Sequence, residues 1–584
     1  MPAMFPSQSI GAPIPNNTEH AVSVTLPTWE ATVGYEEGEP WVVNKMHSGY
    51  PRFFIHNDIQ QLCKLIESSY ARDNEKCFIF PTYNIAKRCR NFIKEKSATL
   101  NPPQHPTIRI LQLSTPPPKN KEEESYKIEA NIAIVFFPSN LYSLVKQYWQ
   151  HTGEGISSRM AEYVINEMKD KLSAEADEKR KSDSSKNSNS PRPSRSSRSS
   201  RSSSLNINNN KQESATFVEE RFGRNLDLRY AKEAKNILLE RLTSDCDQSY
   251  TDKDNIYLYP SGMAAIFNAH RAILSCSKPE DSKTLKSVCF GFPYVDTLNI
   301  LRKWGAGVHF YGFGDDESLD DLELRLESGE KILSLFCEFP SNPLLKTPDI
   351  IRIKYLSEKF GFYIVVDDTV GNSSNINIIP YCDIVVSSLT KIFSGDSNVM
   401  AGSLILNKKS KYYNQLKEFM NEDYEDFFWD QDAIYLERNS RDFKERSKIM
   451  NYNAEQVLLL FQSSPLISQI YYPSVTSPES KNHYDAVKRN NGGYGALMSI
   501  VFKEETDAVC FFNTIKLSKG PSLGTNFTLV CPYAILAHFK ELDEVAKWGV
   551  DPNLVRLSIG MEKTPELISA LKEALDAAQE QHLV

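Results

Sequence analysis

The chain has 584 residues, 40% of them hydrophobic and 24% charged, with a formal net charge of -8. It is long enough to bury about two to four cores, and its acidic balance gives no reason to expect nucleic-acid binding. No apolar run reaches about eighteen residues and Met1 to Asn17 hold no basic-then-apolar block, so we expect neither a membrane span nor a cleaved secretory signal.

Ten cysteines form no CxxC pair or Cys/His cluster at zinc spacing, and ten histidines show no HExxH pattern. No metal is predicted. A reducing compartment fits this cysteine usage, which points to the cytoplasm with nuclear presence left open.

Taken in order, residues 1–19 are expected to be flexible and residues 20–172 to form an amino-terminal α/β extension. Residues 76–80, 107–111 and 132–137 read as strands, and 83–94 and 140–149 as helices. The extension has no glycine-rich phosphate loop, and its residues assign it no activity. Between 173 and 213 the composition turns to Ser, Arg, Lys and Asn. Such a stretch cannot offset its conformational entropy by burial, and we read it as a disordered linker rather than a contact for RNA or kinases.

Residues 214–450 are expected to form a large domain and 451–584 a smaller carboxyl-terminal one. After a helix at 228–242, Tyr257-Leu258-Tyr259 runs into Pro260-Ser261-Gly262-Met263 and a helix-forming stretch. Free N–H groups there would suit an anion, although Ser-Gly is also a plain N-cap. Strand and helix patterns then alternate: 285–290, 294–303, 308–311, 319–326, 332–337, 349–360 and 362–366. That alternation predicts an α/β fold with a mostly parallel, doubly wound sheet.

Two strand ends carry chemistry. One apolar run ends in Val366-Asp367-Asp368-Thr369; the next, 383–387, ends in Ser388-Leu389-Thr390-Lys391. Such a lysine is either a solvated loop residue or a desolvated amine able to form a Schiff base. The acids are either caps or partners for a cofactor nitrogen. Together they make the pair that pyridoxal phosphate requires. Downstream, 410–462 reads as one long helical region whose Tyr424, Phe427, Phe428 and Trp429 belong to a core or subunit contact. Strands at 497–502 and 555–559 alternate with helices at 507–514 and 564–581, and Arg556 in its apolar strand demands a buried salt bridge or a ligand carboxylate.

Five segments, Tyr259-Pro260-Ser261-Gly262-Met263-Ala264-Ala265, Glu338-Phe339-Pro340-Ser341-Asn342-Pro343, Val366-Asp367-Asp368-Thr369, Ser388-Leu389-Thr390-Lys391 and Val555-Arg556-Leu557-Ser558-Ile559-Gly560, resemble in this order the motifs of the Cys/Met-metabolism pyridoxal-phosphate enzymes. The resemblance runs from about Phe217 to the end. Pro27-Thr28-Trp29 and Gly49-Tyr50-Pro51-Arg52-Phe53 resemble the amino-terminal region of fungal cystathionine gamma-synthases.

This resemblance implies a fold-type-I, aspartate aminotransferase-like enzyme using pyridoxal 5'-phosphate. Lys391 would hold the cofactor and shuttle protons, Asp367 would pair with its ring nitrogen, and Tyr294 would stack on the ring. Gly262, Met263, Ser388 and Thr390 would hold the phosphate. Asn342 would contact the cofactor or substrate, and Arg556 with Ser522 the substrate carboxylate. Arg224 would reach the phosphate of a neighbouring subunit, which implies a homodimer or homotetramer with shared active sites. The activity implied is γ-replacement on an O-acylhomoserine, acetyl or succinyl, by cysteine to give cystathionine, in trans-sulfuration and methionine biosynthesis. Sulfhydrylation, cystathionine lyase activity and a catalytically weak regulatory paralogue are the alternatives. The chain departs from the family pattern at Phe222, at Val295 and Asp296, and at Gly395-Asp396-Ser397-Asn398, which bears on substrate choice.

Overall fold

Residues 9–46, 48–50, 54–169, 226–244 and 246–583 are described by the computed structural model of the chain. Its centre is a seven-stranded sheet in the spatial order Ile256–Tyr259, Gly402–Leu406, Ile384–Ser388, Tyr363–Asp367, Ser334–Glu338, Ser287–Phe290 and Val308–Tyr311. Gly402–Leu406 runs antiparallel to both of its neighbours and the remaining pairs are parallel. One reversed strand between two others leaves Ile256–Tyr259 pointing the same way as the parallel set. The ends of that strand, of Ser334–Glu338, of Tyr363–Asp367 and of Ile384–Ser388 therefore share one edge, where ligands of open α/β sheets bind.

The central strands are apolar on both faces because both faces are covered. Ile364, Val366, Val385 and Leu335 enter one core, while Val365, Ile384, Val386 and Phe336, the alternate residues, enter another. The helix Gly262–Cys276 packs on the second face through Ala265, Ala269, Ala272 and Ile273.

Farther along, the single helical region expected at 410–462 is three helices, Tyr413–Asp423, Asp430–Asn439 and Phe443–Gln462. The aromatic stretch between the first two supplies the break: Tyr424 and Phe427 turn inward against Tyr259, and Trp429 enters the core of the extension. The last helix buries Phe443 in the central core and Met450, Ala454, Val457 and Phe461 in the carboxyl-terminal one. There a five-stranded, mainly antiparallel sheet is ordered Ile467–Tyr471, Leu497–Phe502, Leu554–Ser558, Leu529–Pro532 and Ser518–Lys519.

The extension has an antiparallel three-stranded sheet, Glu75–Phe80, Asn131–Pro138 and Arg109–Ser114, under the helices Asn57–Tyr70, Tyr83–Ala98 and Tyr142–Thr152. It is not a separate bead. Phe92 stacks on Trp304 at 5.3 Å between centroids, and the buried Glu154 takes hydrogen bonds from Arg88, Tyr148 and Asn268. The expectation of flexibility before residue 20 fails from Ser9 onward: Pro13–Ile14 pairs with Ser23–Val24, and Ile14 is buried. Two residues of strand gave no periodicity to read. The Ser/Arg-rich 173–213 and Arg224 lie outside the described residues.

Candidate active site

Lys391 follows the strand Ile384–Ser388 by three residues, in a turn closed by Gly395 N–H donating to the Lys391 carbonyl at 2.8 Å. Its side chain is 7% exposed, and Nζ donates to Ser522 Oγ at 2.8 Å and Tyr50 Oη at 3.0 Å. On the neighbouring parallel strand Asp367 stands opposite Val386 on one side and Glu338 on the other. Burial raises the Asp367 carboxyl above the ordinary range, although the Thr369 N–H donates to its Oδ1 at 2.9 Å. Glu338 is pushed up to about 8 by burial and by the adjacent Asp367 charge. Asp368, held by a hydrogen bond from Ser387 Oγ, is pushed up to about 7, chiefly by burial.

The Glu338 carboxylate also orders two loops. Its Oε1 accepts from Tyr294 N–H at 2.5 Å and its Oε2 from Asn342 N–H at 3.0 Å, so one side chain fixes the backbone of both residues. Asn342 Oδ1 in turn accepts from Arg556 Nη1 at 3.0 Å, while Arg556 Nη2 donates to the Ser522 carbonyl at 2.6 Å. Arg556 is 5% exposed and its guanidinium lies 4.7 Å from the Tyr533 ring centroid. The sequence asked for a buried salt bridge or a ligand carboxylate; amide and carbonyl oxygens hold the group, which leaves its full charge for an anionic ligand. Ser522 has φ 95°, a left-handed conformation that is costly for a serine and concentrates at functional positions.

At the fourth strand end, Ser261 caps the helix Gly262–Cys276 by accepting from Ala264 N–H at 3.1 Å. A Cβ on Gly262 would stand 2.7 Å from Ser388 Cβ and 2.9 Å from its Cα, so only glycine lets this helix end come up to the strand end. The N–H groups of Gly262 and Met263 have no hydrogen-bond acceptor among the described residues, and both residues line the cavity. The Thr390 hydroxyl is exchanged with the backbone of Ala401, donating at 3.2 Å and accepting at 3.0 Å, rather than left free.

One cavity of about 210 Å³ joins Lys391, Asp367, Tyr294, Gly262, Met263, Ser388, Thr390, Asn342, Ser522 and Arg556. Of the sequence-derived site residues only Arg224 is not described. The donor set fits pyridoxal phosphate: a buried amine, an acid whose ionisation burial resists and a ring cation would restore, and unpaired N–H groups at a helix amino terminus.

Sequence reasoning missed one wall. His20, Tyr50, Trp149, Gly153 and Arg159 of the extension line the same cavity. No spacing links residue 50 to residue 391, and the resemblance around Tyr50 carries no role for it. Val22 N–H donates to the Ser397 carbonyl at 2.8 Å, Arg159 Nη2 donates to the Asn398 carbonyl, and Asp296 Oδ1 lies 3.6 Å from His151 Nε2. Those unusual residues are where the extension docks.

Residues 186–576 match the model of the Cys/Met metabolism PLP-dependent enzymes, and residues 58–157 that of the fungal trans-sulfuration enzyme amino-terminal domain. The cystathionine gamma-synthase of Neurospora crassa is 44% identical, covering 99% of this chain and 99% of its own. That of Saccharomyces cerevisiae is 42% identical, covering 98% of this chain and 99% of its own. A solved cystathionine gamma synthase from Xanthomonas oryzae pv. oryzae, in complex with aminoacrylate and cysteine, superposes with a TM-score of 0.50 over 62% of this chain and 90% of that one; at 21% identity this speaks to the fold alone. With residues 186–576 matching that model and two relatives above 40% identical over nearly the whole chain, the chain belongs to the Cys/Met metabolism PLP-dependent enzymes, of fold type I.

Proposed function

We propose that the protein is a cystathionine gamma-synthase, replacing the acyloxy group at Cγ of an O-acylhomoserine with the sulfur of L-cysteine. The observation that carries this reading is the convergence of Lys391, Asp367 and the Arg556–Asn342–Ser522 set on one cavity, in a chain similar along nearly its whole length to relatives of that name. Pyridoxal phosphate, when bound, supplies an electron-withdrawing ring that makes protons at Cα and Cβ acidic.

The chain's own groups do the rest. Arg556 offers a fixed guanidinium to the substrate α-carboxylate, with Asn342 and Ser522 aligned behind it. Lys391 Nζ would hold the cofactor and would carry protons from and to the substrate carbons. Asp367 would keep the ring nitrogen protonated, and Tyr294, its N–H anchored on Glu338, would lie against the ring. The N–H groups of Gly262 and Met263, with the Ser388 hydroxyl, would hold the phosphate, while the Thr390 hydroxyl, engaged with the backbone of Ala401, would brace the turn beside them. The acyl group leaves as a carboxylate, the cysteine thiol loses its proton, and a Cγ–S bond closes.

We place the enzyme in the cytoplasm as a homo-oligomer. All ten cysteines are unpaired, which accords with a reducing compartment, and among the described residues no helix is long and apolar enough to cross a membrane. The test is product analysis of the purified, cofactor-loaded chain with O-acetyl- and O-succinylhomoserine. Cystathionine formed from cysteine supports the reading. Homocysteine from sulfide at a higher rate would make the enzyme a sulfhydrylase, and breakdown of cystathionine alone would make it a lyase.

A further inference from the structure

We propose that Tyr50, carried by the amino-terminal extension, is a positioning residue that orients Lys391 for proton transfer. Its phenol oxygen stands 3.0 Å from Lys391 Nζ, and that nitrogen has a second oxygen partner in Ser522 Oγ at 2.8 Å. The two partners come from opposite ends of the chain, one on the extension and one beside the carboxyl-terminal sheet. They meet only because the extension is fastened to the rim of the cavity.

The fastening has several independent points. Ser261, which caps the helix whose amino terminus faces the cavity, donates its hydroxyl to the Gly153 carbonyl at 3.0 Å. A Cβ on Gly153 would stand 2.3 Å from Ser261 Oγ and 2.7 Å from Met263 Cβ, so the extension lies against that helix end as closely as a backbone can. Arg159 bridges to Asp432 at 2.7 Å and lies 4.0 Å above the Tyr435 ring, and Val22 N–H reaches the Ser397 carbonyl at 2.8 Å. A wall held this way can place one hydroxyl group with the precision that proton transfer needs.

The chemistry follows from the geometry. Nζ donates to both oxygens, so the two together fix where the amine points. Tyr50 thus sets, with Ser522, the direction from which Lys391 collects a proton from a substrate carbon, and the extension supports the catalytic apparatus in its own chain. This inference rests on the proposed function for its reaction, but its first readout does not.

The experiment compares the full-length protein with Tyr50→Phe. In cofactor-loaded protein, exchange of the Cα proton of L-homoserine with D2O, which needs the lysine but no leaving acyl group, is followed by NMR. It should slow about ten-fold in Tyr50→Phe. With O-acylhomoserine kcat should fall about ten-fold, with KM changed less than about three-fold. Tyr50→Leu, which also lacks the oxygen, should show the same slowed exchange and guards against a defect special to phenylalanine. Exchange rates within about two-fold of wild type in both variants overturn the proposal. If the wild-type protein makes no cystathionine, the proposed function falls, while the exchange rate still decides the role of Tyr50.

Discussion

Asp367 and Glu338 stand directly opposite one another, each the last residue of its strand in a parallel pair. Two carboxyl groups at one register position in a buried site cannot both ionise cheaply, and Glu338 accordingly keeps its proton up to about 8. The sign for stability follows. Between the ordinary carboxylate range and about pH 8 the folded chain holds a proton that the unfolded chain has released, so stability falls as pH rises through that window and levels off above it. Thermal melts of cofactor-free protein should show the midpoint dropping between about pH 5 and pH 8, with a smaller drop in Glu338→Gln. A melting temperature that rises over this range in the wild type would contradict the buried-pair assignment.

A cofactor whose ring nitrogen carries a proton changes that balance. Placed beside Asp367 it supplies the positive charge that favours ionisation, so the same melts in the presence of saturating pyridoxal phosphate should lose most of their slope. The comparison isolates the acids, because ligand stabilisation without any proton linkage would raise every midpoint equally.

Arg556 is held by the Asn342 amide oxygen and the Ser522 carbonyl, neither of which neutralises it. Arg556→Lys keeps the charge but loses the planar fork, so the KM for O-acylhomoserine should rise about 10- to 100-fold, the equivalent of about 1.4 to 2.8 kcal/mol, with kcat affected less. Steady-state kinetics on both parameters check this. An unchanged KM would mean that the carboxylate binds elsewhere.

Much of this arrangement could be read from the sequence, and the unread part has a common physical cause. The runs 362–366 and 383–387 announced buried strands because both of their faces are covered, and each ended in polar residues at the edge where crevices form. Glu338 was visible within a motif, but nothing local said that its carboxylate would tie Tyr294 to Asn342. Tyr50 was visible only inside a segment resembling the amino-terminal region of the fungal enzymes, with no role attached, and Arg159 was not singled out. Their neighbours in space are more than 200 residues away in the chain, and the signal that pointed to them was negative: Asp296, Ser397 and Asn398 look out of place until the extension is seen resting on them. Local patterning encodes elements; it does not encode which surfaces of two separately patterned regions will meet.

Gly262 tests the cradle. Its absent Cβ would fall 2.7 Å from the Cβ of Ser388 and 2.9 Å from its Cα, too close for a flexible side chain to give way. Gly262→Ala must push the helix end off the strand end and move the N–H groups of residues 262 and 263. We expect cofactor affinity to drop at least about ten-fold, measured by equilibrium dialysis, while the melting temperature of the cofactor-free protein falls by only about 1–2 °C, the equivalent of about 1–2 kcal/mol for a chain of this size. Equal cofactor affinity in wild type and variant would remove the phosphate from this helix.

The dock of the extension can be tested apart from its chemistry. Arg159 pairs with Asp432 at 2.7 Å, and Asp432 is only 2% exposed. Arg159→Met leaves that carboxylate buried without its cation, a change that costs about 3–5 kcal/mol in comparable sites. Replacing both, as Arg159→Met with Asp432→Leu, removes the stranded charge and should recover most of the loss, since a well-packed apolar pair is often as stable as the ion pair it replaces. Chemical denaturation of the wild type, of each single variant and of the double variant gives the coupling energy directly. A double variant as unstable as the single one would show that Arg159 contributes through its bond to the Asn398 carbonyl and its stacking on Tyr435, and the interface would then depend on the loop at 395–398 more than on the helix Asp430–Asn439.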